Sequence, residues 1–310
     1  MTAPSEPSEG FILGLDCAAQ PERFGIALAR IGTSSFEWLA AAQGQKGESI
    51  AKHCHALLRS HGLCSDTDSS QRRYHQNLTV ALDAPLGWPE TLAQALSGHH
   101  AGQPLPVDSN TLFRRATDNV VRRVLGKRPL EVGADRIARA AVTALSVLGE
   151  LREELGLALP VAVGSGEGSQ ATQAGGYRRA RPPAEVALEV YPAALLMQAD
   201  LQSRSYKRRD QRATRQEILG GLATALPEVK PIPGAILETA LANADVMDAL
   251  LCVVTGWLYL EGRCIGPEIE VTHDKTDSGL PHQRGEPAVR HTSREAIRRE
   301  GWIWLPDRLR

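Results

Sequence analysis

Three short apolar runs at the start of the chain constrain the fold more than anything else in it. FILGLDCA (11–18), FGIALARI (24–31) and SFEWLAAA (35–42) are separated only by AAQPERFG and GTS, whose Pro, Gly and Ser residues favour turns. Connections that short join antiparallel neighbours, so the spacing predicts a three-stranded meander. Residues 47–61 follow at helical spacing, with Ile50, Cys54, Leu57 and His61 on one face. A strand placed after a helix can return parallel to the first, and the apolar run ending at Asp83 is placed to do so. Residues 133–155 form an amphipathic helix, EVALEVYP (185–192) a buried strand and residues 235–260 a long apolar helix; a helix and strand, TSREAIRREGWIWLP, close the chain. The order β-β-β-α-β-α-β-α predicts a single α/β domain. Its sheet is mixed and five-stranded, three strands antiparallel and two parallel, with helices on both faces. An insertion is expected at about 85–132, a Gly/Ser loop at about 164–183 and a C-terminal extension at about 266–310.

Composition narrows the partners. With 35 basic and 36 acidic residues the formal charge is −1, so any attraction to polyanions must come from a local patch. Five cysteines without Cys-x-x-Cys spacing suit reduced thiols and a cytoplasmic protein. The polar N-terminal residues read as no signal peptide, and no run approaches the roughly 20 apolar residues of a membrane span.

The informative residues are acids that interrupt apolar segments: Asp16, Asp83, Glu189, Asp245 and Asp248. A buried carboxylate requires an ion pair, hydrogen bonds or a metal. If the first and fourth strands are parallel neighbours, Asp16 and Asp83 share one edge, about 5 Å apart. A helix laid across that edge could add Asp245 or Asp248. Such oxygen ligands suit Mg²⁺ or Mn²⁺, and two ions roughly 4 Å apart can serve phosphodiester cleavage. Taken singly, Glu189 also suits an ordinary ion-pair partner and Asp245 a solvated acid on a helix face.

Two basic stretches accompany the acids. Arg114 and Arg115 in FRRATD, and Lys207 and Arg208 with Tyr206 in YKRRDQRATR, could grip phosphates and stack a base. A solvated helix face explains the first stretch equally well. The His and Cys residues at 53–64 fit no zinc-finger spacing, and no phosphate-binding Gly-rich loop or serine-hydrolase elbow is present.

GLDCA, ALDAPLG, FRRATD, EVYPAALL, SYKRR, DVMDALLC and EGWIWLP together resemble the motifs of a family of predicted RNase H-like nucleases, domain-of-unknown-function family 429. The resemblance runs from about Gly14 to Pro306. It implies an RNase H-like fold, and Asp245-x-x-Asp248 also resembles the C-terminal helix acids of a Holliday-junction resolvase. By that likeness Asp16, Asp83 and Asp248 are metal ligands, with Glu189 or Asp245 as a fourth acid, and the substrate is DNA or RNA. Two alternatives stand beside it. One is a non-catalytic member of the fold that binds nucleic acid or protein, the other an ATP-dependent phosphotransferase of the actin and sugar-kinase type.

Overall fold

The structure is a computed structural model that describes residues 10–32, 36–63, 77–105, 107–164, 185–267 and 294–309. Strands β1 (Gly10–Asp16), β2 (Gly25–Ile31) and β3 (Phe36–Gln43) form the antiparallel meander. Helix α1 (Ile50–Ser60) leads to β4 (Asn77–Asp83), which lies parallel to β1 in register from Gly10 with Asn77 to Asp16 with Asp83. Between β4 and the last strand come α2 (Glu90–Leu96), α3 (Ser109–Phe113), α4 (Ala116–Leu125) and the long α5 (Asp135–Leu155). Strand β5 (Val186–Glu189) then joins parallel to β4, giving the open sheet β3-β2-β1-β4-β5. The mixed sheet expected from the strand order is thus present, and so are short helices in the stretch read as an insertion. The Gly/Ser loop expected at 164–183 lies almost wholly outside the described residues.

Helices α6 (Pro192–Gln198), α7 (Arg212–Ala225), α8 (Gly234–Ala242) and α9 (Ala244–Leu260) follow. The hairpin of β6 (Cys264–Ile265) with β7 (Leu305–Pro306), and α10 (Arg294–Glu300) before β7, end the chain. The single helix expected over 235–260 is two helices. Asn243 between them is extended (φ −132°, ψ 120°), and its side chain accepts the Asp245 N–H, so it stops α8 and caps α9.

Strand alternation sorts the core into two layers. Phe11, Leu13, Leu15, Leu78, Val80 and Leu82 pack with Ala51, Cys54 and Leu58 of α1 and with Ala144, Leu148 and Leu151 of α5. Ile12, Ala27, Ala29 and Ala81 face the other way, into the apolar body of α9. Helices therefore cover both faces. On α1 the buried residues are Ile50, Ala51, Cys54 and Leu58, one position round from the face read off the sequence. Helix α9 lies directly on the sheet because Gly14 and Gly25 have no side chain. A Cβ at Gly14 would collide with the Ala249 carbonyl, and one at Gly25 with the Asp245 carbonyl. That contact sets the first turns of α9 over the ends of β1 and β4. Among the described residues, no helix is long and apolar enough to cross a membrane.

Candidate metal centre

The register that pairs β1 with β4 makes Asp16 and Asp83 neighbours on one sheet edge. Asp16 shares the α9-facing side of its strand with Ile12 and Gly14, and Asp83 that side of β4 with Ala81. Asp248, one turn into α9, comes down on the same point. Each of these three residues offers a carboxylate oxygen within 4.8 Å of the others, and among the described residues they are the group able to share an ion. Asp248 is fully buried and Asp16 is 7 % exposed.

Crowding and burial dominate the electrostatics. Burial is the largest influence on all three carboxyls and raises each above the usual carboxylate range. Asp83 is pushed up to about 7, with the Asp248 charge adding to burial and Lys207 opposing it. Asp16 is raised well above its ordinary value by burial and by Asp248, Asp83 and Asp245, again against Lys207. The Tyr206 hydroxyl donates to Asp248 Oδ1 at 2.8 Å. Asp248 Oδ2 makes no hydrogen bond and meets the Lys207 ammonium as an ion pair. Three carboxylates against one ammonium leave two formal negative charges in a largely buried place.

Two thiols border the acids without joining them. Cys17 and Cys252 both donate to the Leu15 carbonyl, at 3.7 and 3.6 Å. Burial, then the neighbouring carboxylates, pushes both thiols well above their ordinary value, so they stay neutral and leave the centre an all-oxygen one.

The loop that carries Lys207 is pinned from beneath. Arg215 on α7 is buried and donates to the carbonyls of Tyr206 (2.7 Å), Arg208 (2.9 Å) and Leu241 (2.7 and 2.9 Å). Ser205 takes the left-handed conformation (φ 65°), a costly one for a residue with a Cβ, at the point where the chain turns Tyr206 inward. Lys207 is rooted in this loop with half of its side chain exposed, yet its ammonium reaches the buried Asp248.

The other expected site residues lie elsewhere. Glu189 pairs in register with Leu82, so alternation turns it to the α5 side of the sheet, away from Asp83. There Arg115 holds both of its oxygens, at 2.7 and 2.9 Å, and the Leu86 N–H donates to it. Arg115 is therefore no phosphate contact: it is 2 % exposed, and it also binds both Asp118 oxygens and the Glu300 carbonyl. Asp245 is held by Arg23 at 3.2 Å outside the triad, and Arg114 lies 3.6 Å from Glu131. Tyr206 is buried with its hydroxyl on Asp248, which leaves no ring face for a base to stack on. Arg208 is exposed, as a phosphate contact must be, but Arg215 from the same basic run is buried in the fold. Tyr206, expected to stack a base, instead supports Asp248, and Arg215, the last residue of the same run, supports the loop from within. Their one signal was an aromatic and an arginine at the ends of a run otherwise made of solvated cations. His53 and His55 pair with Glu48 and Glu154, and Cys54 is in the core, so no zinc site forms among the described residues.

An open mixed sheet with three carboxylates at the edge shared by its central parallel strands defines an α/β protein with a candidate cation centre. The chain belongs to the family described as Protein of unknown function (DUF429), which matches residues 37–272 and so takes in Asp83 and Asp248 but not Asp16. No curated protein and no solved structure matches it.

Proposed function

We propose that the protein is a metal-dependent phosphodiesterase of RNase H-like fold acting on DNA or RNA. The observation that carries this reading is the convergence of Asp16, Asp83 and Asp248 from two strands and a helix onto one point. The residues fit a hard divalent cation. All donors are carboxylate oxygens, the excess negative charge is buried, and Asp248 Oδ2 meets only the ammonium of the half-exposed Lys207. One Mg²⁺ or Mn²⁺ would be held by these three residues. Glu189 and Asp245, expected to hold a second, are tied to Arg115 and Arg23. When bound, the ion supplies Lewis-acid stabilisation of a phosphoryl oxygen and an acidified water.

The chain's own groups do the rest. Tyr206 fixes the rotamer of Asp248 through its hydroxyl, and Gly14 and Gly25 fix the height of α9 over the edge. Asp83, with its carboxyl near neutrality, holds or releases a proton at Oδ according to whether a cation is present. Lys207 stands at the rim of the centre and is placed to meet a phosphate once its contact with Asp248 is replaced.

Lys207 also favours a second reading. Its ammonium already puts positive charge among the acids, as expected of a non-catalytic member of the fold that binds nucleic acid without a metal. The test is a cleavage assay on single- and double-stranded DNA and RNA with Mg²⁺ or Mn²⁺, wild type beside Asp16→Asn and Asp248→Asn. Turnover that needs the metal and disappears in both variants is expected. Binding of a substrate without cleavage under any metal would replace the first reading with the second.

A further inference from the structure

Both oxygens of Asp248 already have a partner. Oδ1 accepts the Tyr206 hydroxyl at 2.8 Å, and Oδ2 meets the Lys207 ammonium. The two partners are held very differently. Tyr206 is 2 % exposed and its carbonyl is fixed by Arg215 at 2.7 Å, so its hydroxyl stays where it is. Lys207 keeps 53 % of its side chain in solvent, on a flexible four-carbon stem along which the ammonium can swing out.

A divalent ion shared by Asp16, Asp83 and Asp248 needs an oxygen from each, and these oxygens lie within 4.8 Å of one another. With Oδ1 taken by Tyr206, Oδ2 is the oxygen of Asp248 freer to ligate, and it is the one the ammonium covers. Two cations within a few ångströms of one buried carboxylate repel strongly, because little water is there to screen them. Ion and ammonium therefore compete for Asp248, and the lysine is the partner able to move. No spare acid stands ready for the displaced ammonium among those expected to widen the site. Glu189 is held by Arg115 at 2.7 Å and Asp245 by Arg23 at 3.2 Å. An anion from outside must then receive it, and a backbone phosphate is an anion that an ammonium binds well.

We infer that Lys207 couples the two ligands of the centre: its ammonium competes with the divalent ion at Asp248 until a phosphate of the nucleic-acid strand draws it away. Metal and strand then each tighten the binding of the other, by the same factor. The inference rests on the proposed phosphodiesterase reading and gives that site a means of loading its ion preferentially when substrate is present. Without Lys207, the ion should load whether or not a phosphate is there.

The test is calorimetric titration of Mg²⁺ into the full chain, alone and with a phosphorothioate oligothymidylate, which keeps the backbone charge and resists cleavage. An uncharged methylphosphonate oligomer is the control for the bases. Wild type is compared with Lys207→Met and Lys207→Gln, and with Arg209→Met, which removes the same charge from an exposed place on the same loop. Mg²⁺ alone should bind both Lys207 variants at least about tenfold more tightly than wild type or Arg209→Met. Loss of a residue that merely supported the fold would weaken binding instead. The charged oligomer should tighten Mg²⁺ binding to wild type by about tenfold, and to the Lys207 variants distinctly less. Metal-free, both Lys207 variants should melt below wild type, and Mg²⁺ should restore them, so a variant that is partly unfolded still reports on the site. Wild-type affinity in both Lys207 variants, an equal gain in Arg209→Met, or equal tightening by the charged oligomer with and without Lys207 would each overturn the coupling and leave the cation centre in place. Mg²⁺ bound by no form of the protein, with or without oligomer, would overturn it by removing the centre itself.

Discussion

Two buried clusters of acids lie at the same end of the sheet, and they are built on opposite principles. On the α5 side, Glu189 and Asp118 are matched oxygen by oxygen to one guanidinium, that of Arg115. Glu300 of α10 completes this knot by accepting the N–H groups of Glu90 and Ala116. Across the sheet, on the α9 side, Asp16, Asp83 and Asp248 share one phenol and one exposed lysine. The first cluster is saturated with hydrogen bonds inside the protein and fastens β5, α4 and α10 together. The second has the same formal excess of acids over cations but few donors, and a fold does not gain stability from leaving buried carboxylates so short of partners. An acid in an apolar strand thus says little about its role until its counter-charge is located.

Substitutions should separate the clusters sharply. Arg115→Met strands Glu189 and Asp118 as unpaired buried charges and should lower unfolding free energy in urea by roughly 3–5 kcal/mol. A loss under about 1 kcal/mol would show that the knot is not a structural fastening. Tyr206→Phe removes one hydrogen bond from buried Asp248 and should cost about 1–2 kcal/mol in the same measurement. The pH dependence is expected next in size. A carboxyl raised in the folded state to about 7 binds its proton more tightly there than in the unfolded chain. Its stabilising effect is full below the unfolded carboxylate value and is lost as pH rises through about 7. Without metal, stability should therefore fall by about 1 kcal/mol between roughly pH 6 and 8 on account of Asp83, followed by urea midpoints, and Asp83→Asn should lessen the fall. Asp16→Asn should change stability least, by about 1 kcal/mol or less in either direction, since it relieves carboxylate crowding. A loss from Asp16→Asn as large as that from Arg115→Met would erase the distinction between the clusters.

The sheet was legible because its evidence is local. Turn lengths of a few residues dictate the meander, and an intervening helix permits the parallel return of β4. The Asp16–Asp83 pair followed from those two facts alone, since both strands end on their acid. Glu189 was misread because its face depends on the register of β5, which no local pattern encodes. A one-residue slip would have turned it to the α9 side. Arg115 and Tyr206 were misread for a related reason: a basic residue or an aromatic next to lysines looks solvated until tertiary contacts bury it. The break at Asn243 was visible only as a capping residue inside an apolar run, and propensity alone favoured one continuous helix.

The most direct test is titration calorimetry of Mg²⁺ and Mn²⁺ into the metal-free protein at pH 6 and pH 8, with wild type beside Asp16→Asn and Asp83→Asn. The expected result is one ion per chain, bound more tightly at the higher pH because the metal must displace the proton that Asp83, raised to about 7, holds at the lower one. Both variants should lose binding by at least about 100-fold, with their fold intact. Absence of binding in wild type at either pH, or binding unchanged in the two variants, would contradict a cation centre at this edge.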